Sequence, residues 1–355
     1  MKKPILLFSV LTSLALTACG TSKPLPVEEE YVNVFVLSGQ SNMQGNTKFK
    51  NGSTDNLAAA FTELGLDGVE DCYEGMPEVR TSYYQCGYGE LKYDASKAGT
   101  DEDVRDTNKD VYASNTTKKL QGLFLPTMVG MGTNSNSMGP ELGCAFKLKD
   151  YASTDKPIYF IKMASNGSGF AQGGTGTQFN WPCKDSSGNV PEVNLYDTFC
   201  KPFIDNNLEL IKQEVGPNVK PLIRGWLWHQ GESDTSTEKI AAYANRLNDM
   251  VTRFRSDYAD YAKDEDGDNI AFIDGMICES ASWSTPEKMN AEKQKFADSN
   301  DMNFLVDTHA NEEKIAANEL KVGNPGGDSM HYNTKSSLRL GMAYADIIIE
   351  NGLLD

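Results

Sequence analysis

The feature that most constrains the fold is a regular alternation of short apolar runs with helical patterns. The apolar runs that indicate buried strands cover residues 31–38, 157–163, 221–228, 270–277 and 303–307. Helical patterns lie between and after them, including an amphipathic stretch at 195–214 and a last helix that Asn333 caps. Such alternation predicts a mostly parallel sheet with helices on both faces. We therefore predict an α/β fold, a three-layer αβα sandwich around a five-stranded, mostly parallel sheet.

The first apolar run leads directly to a serine. Val32, Val34 and Val36 belong to the run, which stops at Ser38-Gly39, and Gln40-Ser41-Asn42 follows. In open α/β sheets, functional sites form at the carboxyl ends of the strands, where Ser41 would lie. Many serines at such positions are only turn residues or helix caps. The position of Ser41 therefore needs support from elsewhere in the chain.

That support comes from two further polar clusters. A serine nucleophile needs a base and a group that orients the base, and the chain contains three histidines. Asp328 and His331 lie three residues apart ahead of the last helix, so they can hydrogen-bond while the other imidazole nitrogen faces Ser41. The polar run 229–234 follows the third strand. Taken singly, each cluster is also compatible with a structural turn or a buried histidine.

Four motifs together resemble the carbohydrate-esterase branch of the SGNH (GDSL-like) hydrolases, which includes sialate O-acetylesterases and family 6 acetylxylan esterases. In the family's order, they are Gly39-Gln40-Ser41-Asn42-Met43, Gly139-Pro140-Glu141, His229-Gln230-Gly231-Glu232 and Asp328-Ser329-Met330-His331. The resemblance covers residues 31–350 apart from the segment 46–125. It implies the flavodoxin-like SGNH fold.

The resemblance also implies roles for individual residues. Ser41 would be the nucleophile and His331 the general base and acid. The oxyanion donors would be the Ser41 amide, the Gly167 amide and the side chain of Gln230, which replaces the asparagine of the wider superfamily. Gly169 in the same loop is an alternative to Gly167. The predicted oxyanion and substrate-binding set is completed by Gln40 and Asn166.

Two acids are candidates for the partner of His331. Asp328 lies in the same loop, which is the usual arrangement in the superfamily and needs no tertiary structure to bring it close. Glu232 belongs to a His-Gln-Gly-Glu run that this branch carries, and its carboxylate could reach the same imidazole from the strand side. We place Asp328 first and keep Glu232 as a second catalytic candidate.

The activity that this set implies is hydrolysis of O-acetyl esters on carbohydrate, such as acetylxylan or acetylated sialic acid, through an acyl-enzyme. No cofactor is expected, and no metal, since Cys-x-x-Cys spacing is absent and the Asp264–Asp268 run does not fit an EF-hand. A catalytically inactive, glycan-binding surface lipoprotein on the same scaffold is one alternative. An esterase of lipids or thioesters is another.

The N-terminus predicts export. Lys2-Lys3, an apolar segment from Ile5 to Leu16 and a Leu-Thr-Ala-Cys ending resemble a lipoprotein signal peptide of residues 1–19, with Cys19 as the lipidated residue. An ordinary cleaved signal is the alternative. Residues 20–30 would form a tether, and residues 31–355 the hydrolase domain. We expect a bacterial lipoprotein of the outer membrane or cell surface, held to the membrane only through this anchor.

The six cysteines after Cys19 fit an exported protein with disulfides. The expected pairs are Cys72–Cys86, Cys183–Cys200 and Cys144–Cys278. Residues 46–125 are rich in Gly, Asp, Asn, Ser and Thr and predict a loop-rich insertion on the rim of the fold. Its tyrosines at 83, 84, 88 and 93 either stack on sugar rings or cover a small core of the insertion.

The overall charge excludes some partners. The formal net charge of −17 and the isoelectric point near 4.7 argue against nucleic acid and against anionic membrane surfaces. An acetylated carbohydrate is the expected partner.

Overall fold

A computed structural model describes residues 30–85, 92–97, 123–170, 180–182, 189–264, 267–278, 280, 282–307, 322–324 and 328–355. The predicted signal peptide, Cys19 and all of the predicted tether except Glu30 lie outside these residues. In the part of the chain that is described, no helix has the length and apolar character needed to cross a membrane.

The strands, in chain order, are β1 Glu30–Gly39, β2 Thr47–Lys48, β3 Lys50–Asn51, β4 Thr54–Asp55, β5 Met76–Gln85, β6 Leu125–Thr127, β7 Ser137–Met138, β8 Ile158–Ala164, β9 Val219–His229, β10 Ala271–Gly275, β11 Asn303–Val306, β12 Val322–Asn324 and β13 Asp328–Tyr332. The α-helices are α1 Ser41–Gln44, α2 Asn56–Leu64, α3 Val69–Glu74, α4 Glu141–Leu148, α5 Lys201–Val215, α6 Thr237–Ile240, α7 Tyr243–Asp257, α8 Pro286–Ala297 and α9 Thr334–Glu350. A π-helical turn, Tyr196–Cys200, leads into α5.

The main sheet has seven strands in the order β11-β10-β9-β1-β8-β5-β6. Every neighbouring pair is parallel except β5 with β6. The five predicted strands are present as β1, β8, β9, β10 and β11, so the mostly parallel sheet is confirmed. The predicted count of five is wrong, because β5 and β6 extend the sheet beyond β8.

The extra strand β5 comes from the segment assigned to a loop-rich insertion, and for residues 76–85 that assignment is wrong. The strand contains Pro77, Glu78 and Arg80, which hide its pattern, yet it pairs with β8 from Val79 to Gln85. The rings of Tyr83 and Tyr84 are buried in the domain rather than exposed on a rim. Tyr93 packs edge-on against Tyr84, with ring centroids 5.3 Å apart, and Tyr88 lies outside the described residues.

The alternation of side chains along β1 divides the core into two layers. Val32, Val34 and Val36 join the cluster that includes the apolar faces of α5 and α7. Phe35 and Leu37 join the cluster that includes those of α2, α4 and α9. Because successive side chains of a strand point to opposite faces, the sheet has helices on both sides, and the predicted three-layer sandwich is confirmed.

The described cysteines do not form the predicted disulfides. Cys72, Cys144, Cys200 and Cys278 are all free, buried thiols, so the predicted Cys144–Cys278 pair is wrong. Cys144 packs among apolar side chains of the core between α4 and α9, and burial raises the pKa of the Cys278 thiol to about 12. The predicted partners of the other two, Cys86 and Cys183, lie outside the described residues.

Candidate active site

The carboxyl ends of three adjacent strands bring the predicted site residues together. Gly39 at the end of β1 pairs in register with Ala164 at the end of β8 and with His229 at the end of β9. Just beyond the strands, the Ser165 N–H donates to the Gly39 carbonyl at 3.1 Å and the Gln40 N–H donates to the His229 carbonyl at 3.0 Å. The segments that carry Ser41, the 166–169 loop and the 230–234 run therefore start from one edge of the sheet.

The close approach of β1 and β9 at this edge requires glycine at position 39. Gly39 has a φ of 150°, and a Cβ placed on it would lie 2.0 Å from the carbonyl oxygen of His229. Any other residue would have to push the two strand ends apart. The glycine of the Gly-Gln-Ser motif thus allows the end of β1 to lie against the end of β9, directly before Ser41.

Ser41 is the first residue of α1, and the whole residue is 8% exposed. Its carbonyl accepts hydrogen bonds from the Gly45 N–H at 3.0 Å and from Asn46 Nδ2 at 3.1 Å. The same Asn46 Nδ2 donates to Asn166 Oδ1 at 2.8 Å. This asparagine ties the segment of Ser41 to the loop in which Gly167 has a left-handed φ of 64°.

His331 and Asp328 lie in β13, which pairs with β12 as a separate antiparallel ribbon. The Nδ1 atom of His331 hydrogen-bonds Asp328 Oδ2, and the Met330 N–H donates to Asp328 Oδ1 at 2.8 Å. Burial acts to raise the pKa of the Asp328 carboxyl, but these two hydrogen bonds outweigh it and lower that pKa. The carboxylate is therefore ionised in the neutral range and fixes the Nδ1 side of the imidazole.

Asn42, the residue after Ser41, connects α1 to this ribbon. Its Oδ1 accepts from the Tyr332 N–H at 3.1 Å, and its Nδ2 lies 3.4 Å from the carbonyl oxygen of Met330. These two residues flank His331 in the chain. Thr47 Oγ1 adds a bond to the Tyr332 carbonyl at 2.9 Å. The histidine is thereby held next to the turn that carries Ser41.

Glu232 contacts Asn42 and His229 rather than lying in the Asp328–His331 pair. Its Oε1 accepts from Asn42 Nδ2 at 2.8 Å and lies 3.5 Å from His229 Nε2. Both the Glu232 and the His229 side chains are fully buried. Burial acts to raise the pKa of the Glu232 carboxyl, but the His229 imidazole and the Asn42 amide lower it to about 2.

Gln230 is fully buried, and its amide meets protein acceptors. Its Nε2 lies 2.9 Å from Asp234 Oδ2, 3.2 Å from the Ser168 carbonyl oxygen and 3.3 Å from Gln40 Oε1. The Tyr243 hydroxyl donates to its Oε1 at 3.1 Å. The amide therefore organises the floor of the site, and its role as an oxyanion donor stays a prediction, as does that of Gly167.

The Gly-Pro-Glu motif has a structural role that the sequence alone did not indicate. Glu141 Oε2 forms an ion pair of 2.7 Å with Lys162 Nζ, and Glu141 Oε1 accepts from the Gly139 N–H at 3.0 Å. Lys162 also donates to the Met131 carbonyl at 2.9 Å.

In the described part of the chain, no group of three or more His, Cys, Asp and Glu side chains is placed to hold a metal ion.

Sequence reasoning also missed the contributions of Asn42, His229 and Tyr332. Their signals were present, since each directly adjoins a predicted residue or belongs to a quoted motif: Asn42 follows Ser41, Tyr332 follows His331, and His229 precedes Gln230. The pairing among them joins residues more than 100 positions apart, for example Tyr332 Oη with His229 Nε2 at 2.8 Å.

Two solved structures share the fold. One is NanS, with a TM-score of 0.51 and 14% identity over 92% of this chain and 99% of that one. The other is a protein from Arabidopsis thaliana, with a TM-score of 0.50 and 14% identity over 90% and 98% of the two chains. At these identities the likeness is one of fold.

Sequence comparisons are more specific. A curated relative from Escherichia coli (strain K12), described as a probable 9-O-acetyl-N-acetylneuraminic acid deacetylase, is 25% identical over 142 residues. These residues make up 40% of this chain and 42% of the relative, so the match spans less than half of the relative's length. The model of the family described as "Carbohydrate esterase, sialic acid-specific acetylesterase" matches residues 86–350.

The family match includes the segments of Glu232 and His331 and begins after Ser41. It confirms the resemblance inferred from the four motifs. The chain belongs to the family described as carbohydrate esterase, sialic acid-specific acetylesterase.

Proposed function

We propose that this carbohydrate acetylesterase is a serine esterase, which removes O-acetyl groups from a glycan through an acetyl-enzyme on Ser41. The observation that carries the proposal is the pair of hydrogen bonds between Asn42 and the two neighbours of His331: Asn42 Nδ2 donates to the Met330 carbonyl, and Asn42 Oδ1 accepts from the Tyr332 N–H. They hold an Asp328–His331 pair beside the turn that begins with Ser41. A nucleophile, a base and a group that orients the base are the parts that acyl transfer to serine requires.

In the first half of the reaction, Ser41 Oγ attacks the acetyl carbonyl carbon and its proton passes to His331 Nε2. Nδ1 of the same ring remains bonded to the Asp328 carboxylate, whose charge stabilises the imidazolium. The bond between the carbonyl carbon and the sugar oxygen then breaks. The sugar oxygen takes the proton from Nε2 and leaves as a hydroxyl group.

In the second half, water attacks the acetyl-enzyme while Nε2 accepts a proton from it. Collapse of the tetrahedral intermediate releases acetate and returns the proton to Ser41 Oγ. The negative oxygen in both intermediates needs fixed donors. We assign these to the Ser41 and Gly167 amides and to Gln230, with Gln40 and Asn166 in the same binding set.

The substrate to test first is O-acetylated sialic acid, because the Escherichia coli relative is described as acting on its 9-O-acetyl form. Acetylxylan is the second candidate. We further propose that the protein is exported as a lipoprotein anchored at Cys19, which would place it where external glycans are met.

The proposal is tested with an aryl acetate, a fluorophosphonate and a glycan panel. The expected results are hydrolysis of the acetate, one phosphonyl group on Ser41 by mass mapping, and loss of both in Ser41→Ala. Acetate release from O-acetyl sialic acid, acetylxylan and acetylated pectin then ranks the substrates. A folded wild-type protein that hydrolyses none of these esters and is not labelled would instead support the glycan-binding alternative.

A further inference from the structure

We infer that Asn42 and Glu232 form a positioning pair that sets the orientation of His331, and that Glu232 does not serve as its acid partner. The inference rests on the proposed role of His331 as the base. It is drawn from a closed set of contacts beneath the site that joins Asn42, Glu232, His229 and Tyr332: three hydrogen bonds and the 3.5 Å contact between Glu232 and His229.

The orientation of the Asn42 amide is unambiguous. Its oxygen faces the Tyr332 N–H, which can only donate, at 3.1 Å. Its nitrogen faces the Glu232 carboxylate at 2.8 Å and the Met330 carbonyl at 3.4 Å, which can only accept. A flipped amide would set like against like at all three contacts. Asn42 therefore grips the backbone on both sides of His331 in one orientation.

Glu232 fixes that orientation from below. Its side chain is fully buried, and its charge strengthens the hydrogen bond that it accepts from Asn42. His229 Nε2 lies 3.5 Å from the same Oε1 and 2.8 Å from the Tyr332 hydroxyl. Tyr332 thus reaches Glu232 by two routes, through the Asn42 amide and through the His229 ring.

The geometry separates the two acids by role. Asp328 contacts the imidazole of His331 directly, so it acts on the tautomer and charge of the base. Glu232 acts on the peptide groups that carry His331, so it controls where the ring lies. Displacement of a reacting group by about 1 Å can cost about 10²-fold in rate, which is the size of effect expected when Asn42 loses its hold.

Glu232→Gln is the informative conservative change. Glutamine keeps the shape of the side chain, and its amide oxygen can still accept from Asn42. Its nitrogen would replace Glu232 Oε2, which has no hydrogen-bond partner within the described structure, so the cost falls on stability rather than on the contact with Asn42. A positioning role predicts a loss below about tenfold for Glu232→Gln and about 10²-fold for Glu232→Leu. A triad role predicts a loss near 10⁴-fold for the amide, as expected for Asp328→Asn.

Double variants measure the coupling. Asn42→Leu should lower kcat about 10²-fold with little change in KM. Adding Glu232→Leu should lower kcat little further, because both substitutions remove the same Asn42–Glu232 hydrogen bond. Combining Glu232→Leu with Asp328→Asn should multiply the separate losses. Glu238→Gln, an exposed carboxylate six residues further along, is the matched control and should behave as wild type.

A second readout does not depend on esterase activity. The chain has three histidines, so nitrogen-15 imidazole spectra can resolve each ring, with His331 assigned through His331→Asn. We expect a fixed Nδ1–H tautomer for His331 in the wild type and in Glu232→Gln. Asp328 should keep this tautomer in the Asn42 variants as well, so the readout is the position of the ring: we expect the His331 ring resonances to shift and broaden in Asn42→Leu, or in the smaller Asn42→Ser if the leucine variant does not fold.

The outcomes are distinct. Unchanged His331 ring resonances in every folded Asn42 variant, with a loss under about threefold in rate, overturn the positioning role. Strong coupling of Glu232 to Asp328 but not to Asn42 makes Glu232 a triad acid instead. A wild type without esterase activity removes the proposed function, while the His331 spectra still decide whether Asn42 and Glu232 orient the ring.

Discussion

Glu141 and Lys162 form an ion pair of 2.7 Å in which neither side chain is exposed to solvent. Lys162 lies in β8, and Glu141 begins α4, the helix that packs on the opposite side of the sheet from α5 and α7. The Lys162 ammonium also lies 4.5 Å from the centroid of the Tyr83 ring. The pair therefore locks β8, whose carboxyl end leads to the Asn166 loop, to the helix layer.

We expect Lys162→Met to destabilise the protein by about 3–5 kcal/mol, because it leaves the Glu141 carboxylate buried without its counter-charge. The double variant Lys162→Met/Glu141→Leu should recover part of this loss. Recovery is incomplete because the Gly139 N–H and the Met131 carbonyl lose their partners. Urea unfolding of wild type, Lys162→Met and the double variant measures both effects, and a double variant no more stable than Lys162→Met would contradict the argument.

Ser41→Ala should lower kcat on the order of 10⁶-fold while the protein folds normally. The substitution removes one small polar group from a residue at the start of α1, so little packing is lost. Turnover of an aryl acetate and the thermal unfolding midpoint are the measurements. A purified variant that keeps more than a few per cent of the wild-type rate would require another nucleophile.

Asp328→Asn should lower kcat by about 10⁴-fold with an intact fold. The amide can no longer stabilise the imidazolium or hold the Nδ1–H tautomer against the Met330 N–H, which now competes for its oxygen. The pH–rate profile and the circular dichroism spectrum are compared with those of wild type. An Asp328→Asn enzyme near the wild-type rate would assign the acid role elsewhere.

Glu232 should make stability depend on pH in the acid range. Its pKa falls from 4.5 to about 2 on folding, so its contribution is fully present above about pH 4.5 and is lost as the pH falls towards 2. The linked free energy is on the order of 3 kcal/mol. Urea unfolding at pH 7, 4.5 and 3 should show a steeper loss for wild type than for Glu232→Gln. Equal slopes would mean that folding does not lower the pKa of the Glu232 carboxyl.

Cys19→Ser should convert a membrane-associated, lipidated protein into an unlipidated, soluble one. The expectation comes from the Leu-Thr-Ala-Cys ending and from Gly20, which by resemblance to bacterial sorting rules favours the outer membrane over retention in the inner membrane. Fractionation and mass spectrometry of the mature N-terminus check it. Unchanged partitioning of the variant would exclude the anchor.

Much of the fold could be predicted, because the five parallel strands are nearly continuous apolar runs buried on both faces. The strand β5 could not, since its charged residues Glu78 and Arg80 and the proline at 77 break the pattern where the sheet approaches its edge. Pairing with β8 from Val79 to Gln85 stabilises the strand although its own sequence pattern does not indicate one.

Those parts of the candidate site that lie within short sequence motifs could be located from the sequence. The segments of Ser41, Asp328 and His331 could be picked out from the sequence, and the hydrogen bonds of Asn42 join the turn of Ser41 to the strand of His331. Their catalytic roles came from the resemblance and stay predictions. The hydrogen bond between Glu232 and Asn42 could not be predicted, because the two residues are 190 positions apart in the chain. Contacts such as this depend on how the strand ends meet, which no local pattern records.

The candidate site is divided between the main sheet and the ribbon of β12 and β13, and this division bears on how activity is lost under heat or denaturant. Ser41 follows the most central strand, whereas His331 belongs to a two-stranded element that side chains such as Asn42 and Thr47 tie down. Small elements of this kind open with a lower free energy than the domain as a whole. Mild heating or denaturant should therefore abolish the proposed esterase activity by opening the ribbon while the main sheet is still folded. Cooling should restore the activity without refolding of the core.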